Sequence, residues 1–128
     1  MDLLSSNSAL MLEKSMGFLW TKQAAILDNI ANAETPNYRE KVVTFEESLR
    51  GKIRQAAKTT TPVKDVRKVL KSTPFAVSEQ AVVTRMDENG VNVTVQSAEA
   101  IRNAYQLRYV MSSINTDLSI LRSAVRGQ

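Results

Sequence analysis

This 128-residue chain contains no histidine and no cysteine, so its capacity for chemistry rests on carboxylates, amides and hydroxyls. The usual imidazole base, thiolate nucleophiles and disulfides are absent, and with them the nitrogen and sulfur ligands of zinc, copper and iron-sulfur centres. Two adjacent carboxylate pairs remain as candidates, Glu46-Glu47 and Asp87-Glu88. Acid–base catalysis needs carboxyl groups aimed into one site, whereas immediate neighbours in sequence point different ways. No Gly-x-Ser-x-Gly, His-Glu-x-x-His or Gly-x-x-x-x-Gly-Lys-Ser/Thr pattern is present. The residues therefore predict no catalytic site, no cofactor and no metal, and a protein that is not an enzyme.

The densest polar constellation is Asn29-Ile30-Ala31-Asn32-Ala33-Glu34-Thr35-Pro36-Asn37-Tyr38, and its chemistry is hydrogen bonding. Asn29 and Asn32 can bond nearby backbone, Ala31 and Ala33 permit close approach of another backbone, and Pro36-Asn37 sets a turn that aims Tyr38 sideways. Thr35, preceding a proline, is disfavoured in helical geometry. Asn29, Asn32, Thr35, Pro36, Asn37 and Tyr38 are thus expected to form a helix exit.

The element that this exit must end is legible upstream. Ala9, Leu12, Met16, Leu19, Gln23, Ile26, Ile30 and Ala33 recur at spacings of three and four, the rhythm of a helix offering a narrow seam to another helix. Ser5 to Ser8 supply N-cap oxygens, and Gln23 is a polar interruption of the kind that fixes register at a cost in stability. Phe18 and Trp20 lie off the seam and hint at a second contact surface. The rhythm returns in Ala100, Ala104, Leu107, Met111, Ile114, Leu118, Leu121 and Val125. Each helix should be roughly 35 to 45 Å long.

Residues 41 to 95 differ in kind. Val42, Val43, Phe45 and Leu49 begin a short amphipathic piece, and the polar run from Lys58 to Pro74 has too few large apolar groups to offset its ordering entropy alone. The segment from about 52 to 78 is expected to be mobile in the free chain. Residues 81 to 84 and 91 to 95 are β-prone and flank Asp87-Glu88-Asn89-Gly90, which predicts a small hairpin. Between residues 41 and 85 stand ten Lys or Arg against four Asp or Glu, within a chain of net charge +4.

The expected fold is mainly α: long N- and C-terminal helices pairing as a coiled coil, with a small β-hairpin and a flexible basic middle. Three regions follow: 1-38, the N-terminal axial helix with its exit turn; 39-95, the variable middle; 96-128, the C-terminal axial helix. Apolar residues make up 43% of the chain and aromatics 5%, which suits a narrow core of Leu, Ile, Val, Met and Ala. No cleaved secretory signal is expected, since Asp2 stands where one carries positive charge. No apolar run approaches the roughly twenty residues of a membrane span, so a soluble chain without membrane insertion is expected.

At the helix-exit motif the chain resembles the axial proteins of the bacterial flagellum, the rod, hook and hook-associated proteins. The resemblance rests on the long first helix ending in residues 29 to 38, a variable middle, and a last helix with Tyr105-Gln106 near its start. Within that family Met1-Asp2-Leu3-Leu4, Val43-Thr44-Phe45-Glu46-Glu47 and Asp87-Glu88-Asn89-Gly90-Val91-Asn92-Val93 look most like the short proximal rod proteins. Residues 52 to 80 match weakly. Asn37 replaces the Gly of many relatives, and Asn also tolerates left-handed geometry.

The resemblance implies a structural subunit of a helical tube in the basal body that transmits torque from motor to hook. It implies, as partners, other rod subunits of the FlgC, FlgF and FlgG type, the FliE adaptor, the inner membrane ring protein and the flagellar type III export apparatus. Narrow seams gain most when neighbours bury their flanks, which places subunit packing on Leu12, Met16, Leu19, Ile26 and Ile30 and on Leu107, Met111, Ile114, Leu118 and Leu121. Two other classes stay open: a basic nucleic-acid binder, although the middle has only Phe45 and Phe75 for stacking, and a secretion chaperone holding another chain's helix in a 1:1 complex.

Overall fold

A computed structural model describes residues 6 to 74, 76 to 79 and 91 to 127. Along them run α1 (Asn7–Ala31), β1 (Lys41–Thr44), α2 (Glu46–Ala56), α3 (Pro62–Ser72), β2 (Ala76–Glu79) and α4 (Val93–Arg126). The protein is mainly helical, with α1 of 25 and α4 of 34 residues as its two long members. Among the described residues, no helix is long and apolar enough to cross a membrane.

α1 starts where a side chain replaces the missing helical acceptor: Ser6 Oγ accepts from the Ala9 amide at 3.1 Å. α1 and α4 then run antiparallel. Asn29 meets Gln96 near one end, Asn103 meets Leu19 and Gln23 further along, and Ala9 and Leu12 share a groove with Leu121 near the other. Asn103 has no exposed surface; its Nδ2 donates to the Leu19 carbonyl at 2.9 Å and to Gln23 Oε1 at 2.7 Å. Gln23 thus locks register against a partner on the opposite helix.

The first-helix stripe faces inward, with Leu19 and Ile26 buried and Leu12, Met16 and Ile30 half-buried. The second stripe divides. Leu107, Ile114 and Leu121 turn toward α1, while Ala104, Met111, Leu118 and Val125 stand exposed. Asn103 and Val110, outside the sequence stripe, are buried in their place. One facing helix covers one row of a two-row seam, which leaves the other row in water.

Within the segment from 52 to 78, expected to be mobile in the free chain, the described residues form the end of α2, the whole of α3 and most of β2. Thr59 and Thr61 hydroxyls donate to the Asp65 carboxylate ahead of and within the first turn of α3, and Pro62 supplies a preset φ there. Val66, Val69 and Leu70 then share one face, and Leu70 is only 2% exposed. The apolar groups are few, but helical spacing concentrates them on a core that α1 and α2 already line. That core holds Leu49 and Val43, with Phe18 and Phe45 packed ring to ring at 5.3 Å and tilted by 31°.

The small antiparallel sheet exists, but between other strands than expected. β1 pairs with β2, from Lys41 opposite Glu79 to Thr44 opposite Ala76. The expected strand at 91 to 95 is instead the start of α4, because Asn92 Oδ1 accepts from the amides of Thr94 and Val95 and caps the helix. Val93 and Val95 are exposed there, so no burial rewards their β preference. The other expected strand, 81 to 84, and the turn at 87 to 90 lie outside the described residues. Replacing Leu70 with Ala should cost about 2–5 kcal/mol, read as a lower urea midpoint with helical circular dichroism of the folded state retained.

Candidate functional site

The helix-exit residues fold back on one buried amide. α1 ends at Ala31, and Asn32 closes it: its backbone N–H donates to the Asp28 carbonyl at 3.1 Å and its side-chain Nδ2 to the same oxygen at 2.8 Å. The Thr35 amide bonds to the Asn32 carbonyl at 2.9 Å, and Asn37 takes a φ of 58°, the left-handed conformation that Asn tolerates. Pro36 lies exposed between them. The chain thereby reverses and delivers Tyr38 and Lys41 alongside α1.

Asn29, 1% exposed, receives them. Its Oδ1 accepts from the Lys41 amide at 2.8 Å and its Nδ2 donates to the Lys41 carbonyl at 2.9 Å, so the side chain pairs with β1 as a neighbouring strand would. The second Nδ2 hydrogen reaches Gln96 Oε1 on α4 at 3.3 Å, and the Tyr38 hydroxyl lies 3.2 Å from Asn29 Oδ1. Gln96 Nε2 in turn donates to Glu40. The amide has both donors and its oxygen engaged, joining α1, β1 and α4 at one point. Asn29→Ala would strand the Lys41 backbone groups and should cost about 1–3 kcal/mol. Asn29→Asp, with the same shape but no donors, should fare no better in the same urea titration.

Electrostatics reinforces the clamp. Lys41 Nζ binds Asp28, which holds the Asp28 carboxyl below the usual carboxylate range and the Lys41 ammonium above its own. Desolvation, then the Asp28 charge, pushes the Tyr38 phenol up, so it stays a neutral donor. An acid with a depressed folded pKa stabilises fully above its unfolded value, near 3.9, and that contribution fades as pH falls below it. A base with a raised pKa acts below its unfolded value of about 10.4 and is lost at higher pH. The difference in melting temperature between the native chain and Asp28→Asn should accordingly be flat near neutrality and shrink as pH drops through 4.

Two apolar grooves flank the α1–α4 seam. One, of about 860 Å³, lies between α1, α4 and α2 and is lined by Phe18, Phe45, Leu49, Ile53, Tyr105 and Tyr109, with Arg50 and Arg54 also on its wall. The other, of about 430 Å³, is lined by Met16, Trp20, Ile114, Leu118 and Leu121, with Glu13 and Asp117. The ten sequence-selected packing residues therefore separate: Leu12, Met16, Leu19, Ile26, Ile30, Leu107, Ile114 and Leu121 lie buried or half-buried along the helix pair, and Met111 and Leu118 remain outside it. Asp28, Lys41 and Gln96 belong to the clamp and were not singled out by sequence. Asp28 and Lys41 are thirteen residues apart with a turn between, and Gln96 arrives only through the fold of α4.

Among the described residues, no group of three or more His, Cys, Asp or Glu could hold a metal ion. The polar chemistry of the described residues is directed at backbone and at register. No family model matches the chain. It is similar to the flagellar basal body rod protein FlgB of Aquifex aeolicus (strain VF5), 29% identical over 121 residues that cover 91% of this chain and 90% of that protein. This similarity supports a relation to the flagellar rod proteins.

Proposed function

We propose that this chain is a structural subunit of the proximal rod of the bacterial flagellar basal body, of the FlgB type. In this reading copies pack through their terminal helices into a helical tube that transmits torque from motor to hook. The observation that carries the reading is the similarity to a basal body rod protein along nearly the whole of both chains. The row Ala104, Met111, Leu118 and Val125, exposed among the described residues, supports it, because an apolar row that the intramolecular pair leaves uncovered gains burial from another molecule. Its partners are other rod subunits, the FliE adaptor and the inner membrane ring, and it reaches the periplasmic rod through the flagellar type III export apparatus. The three regions serve this division: two axial helices for packing, and a middle that varies.

The test is genetic. Cells lacking this protein should be non-motile and without complete rods, and the full chain should restore both. A chain lacking residues 122 to 128, of which 122 to 127 are exposed, should stay folded by circular dichroism yet fail to restore swimming. Normal motility and intact basal bodies in cells without the protein would overturn the reading.

A further inference from the structure

We infer that the groove walled by α2 on one copy receives the Trp20 edge of a second copy, in a head-to-tail contact that repeats without closing. The inference rests on the subunit reading above and names the faces that meet.

Trp20 and Phe18 are two residues apart on α1, about 200° around a helix. Phe18 lines the larger groove and Trp20 the smaller one, so the two surfaces lie on opposite sides of the α1–α4 pair. α4 repeats the division: Tyr109 and Leu118, nine residues and half a rotation apart, line the larger and smaller grooves respectively. One side is the larger groove walled by α2, and the other is the smaller groove, where Trp20 is 56% exposed.

Charge selects how they combine. The hollow carries Arg50 and Arg54, and among the described residues neither is ion-paired and no acid lines it. The Trp20 side carries Glu13 and Asp117 and no base. A two-fold contact would set each face against itself, placing arginines against arginines or acids against acids. Hollow against edge places Trp20 among Phe45, Tyr105 and Tyr109 and sets the acids beside the arginines. Because the two faces point in opposite directions, each copy that uses one leaves the other open, and the row extends.

The chain has no cysteine, so disulfide trapping reads the contact directly. Trp20→Cys with Tyr109→Cys in one chain, both at exposed positions, should give a ladder of dimer, trimer and higher species on oxidation. The two single variants mixed should stop at dimer, and each alone should stay monomeric. Arg50→Glu with Arg54→Glu should abolish the trapped dimer, and Glu13→Arg with Asp117→Arg on the other copy should restore it. The assay is run on concentrated purified protein and on isolated basal bodies, with circular dichroism to confirm folding. Dimers from Trp20→Cys alone, or no ladder in either sample, would overturn the contact even if the protein is found in the rod. A ladder from a protein absent from basal bodies would keep the contact and sink the rod reading.

Discussion

One buried carboxamide sets the geometry of the rest. Asn29 sits in the last turn of α1 and bonds both backbone groups of Lys41, so the strand that follows the turn can leave in one direction only. The same amide touches Gln96, which fixes where α4 begins relative to where α1 ends. Placing an uncharged polar group out of water is unfavourable unless its bonds are made. Here they are made by three elements at once, and any other exit angle would leave the amide unsatisfied.

A second buried amide does the same for register. Asn103 is fully enclosed between the long helices and bonds Leu19 and Gln23, so a slip of α4 by one turn would strand it. Among the described residues its Oδ1 has no hydrogen-bond partner, so both bonds that hold the amide in place come from its Nδ2. The apolar contacts around it are interchangeable by comparison, since Leu, Met and Ile pack adequately in more than one alignment.

The long helices and the exit motif were legible because their signals are local: spacing of three and four, serines ahead, and a proline-bearing turn behind. The positive φ of Asn37 is local in the same sense, a property of the residue and its turn. What escaped depended on neighbours distant in sequence. α3 looked too polar until α1 and α2 supplied the wall against which Leu70 packs. Val93 and Val95 looked like strand because β preference reports a half-buried surface, and the Asn92 cap put them on a solvated helical turn. The stripe of α4 was one pattern in sequence and two rows in space, and only the position of α1 decides which row is covered.

The antiparallel pairing has a consequence for the ends of these helices. α1 carries no acid in its first turn and no base in its last, and α4 has no acid in its first turn. Such residues ordinarily offset the partial charges that aligned peptide dipoles leave at helix termini. Here the negative end of α1 lies beside the positive end of α4, so each macrodipole finds its counter-charge in the other helix. The two dipoles thus compensate each other without added salt, and what dissolved ions can screen at this junction is the partly exposed Asp28–Lys41 pair beside it.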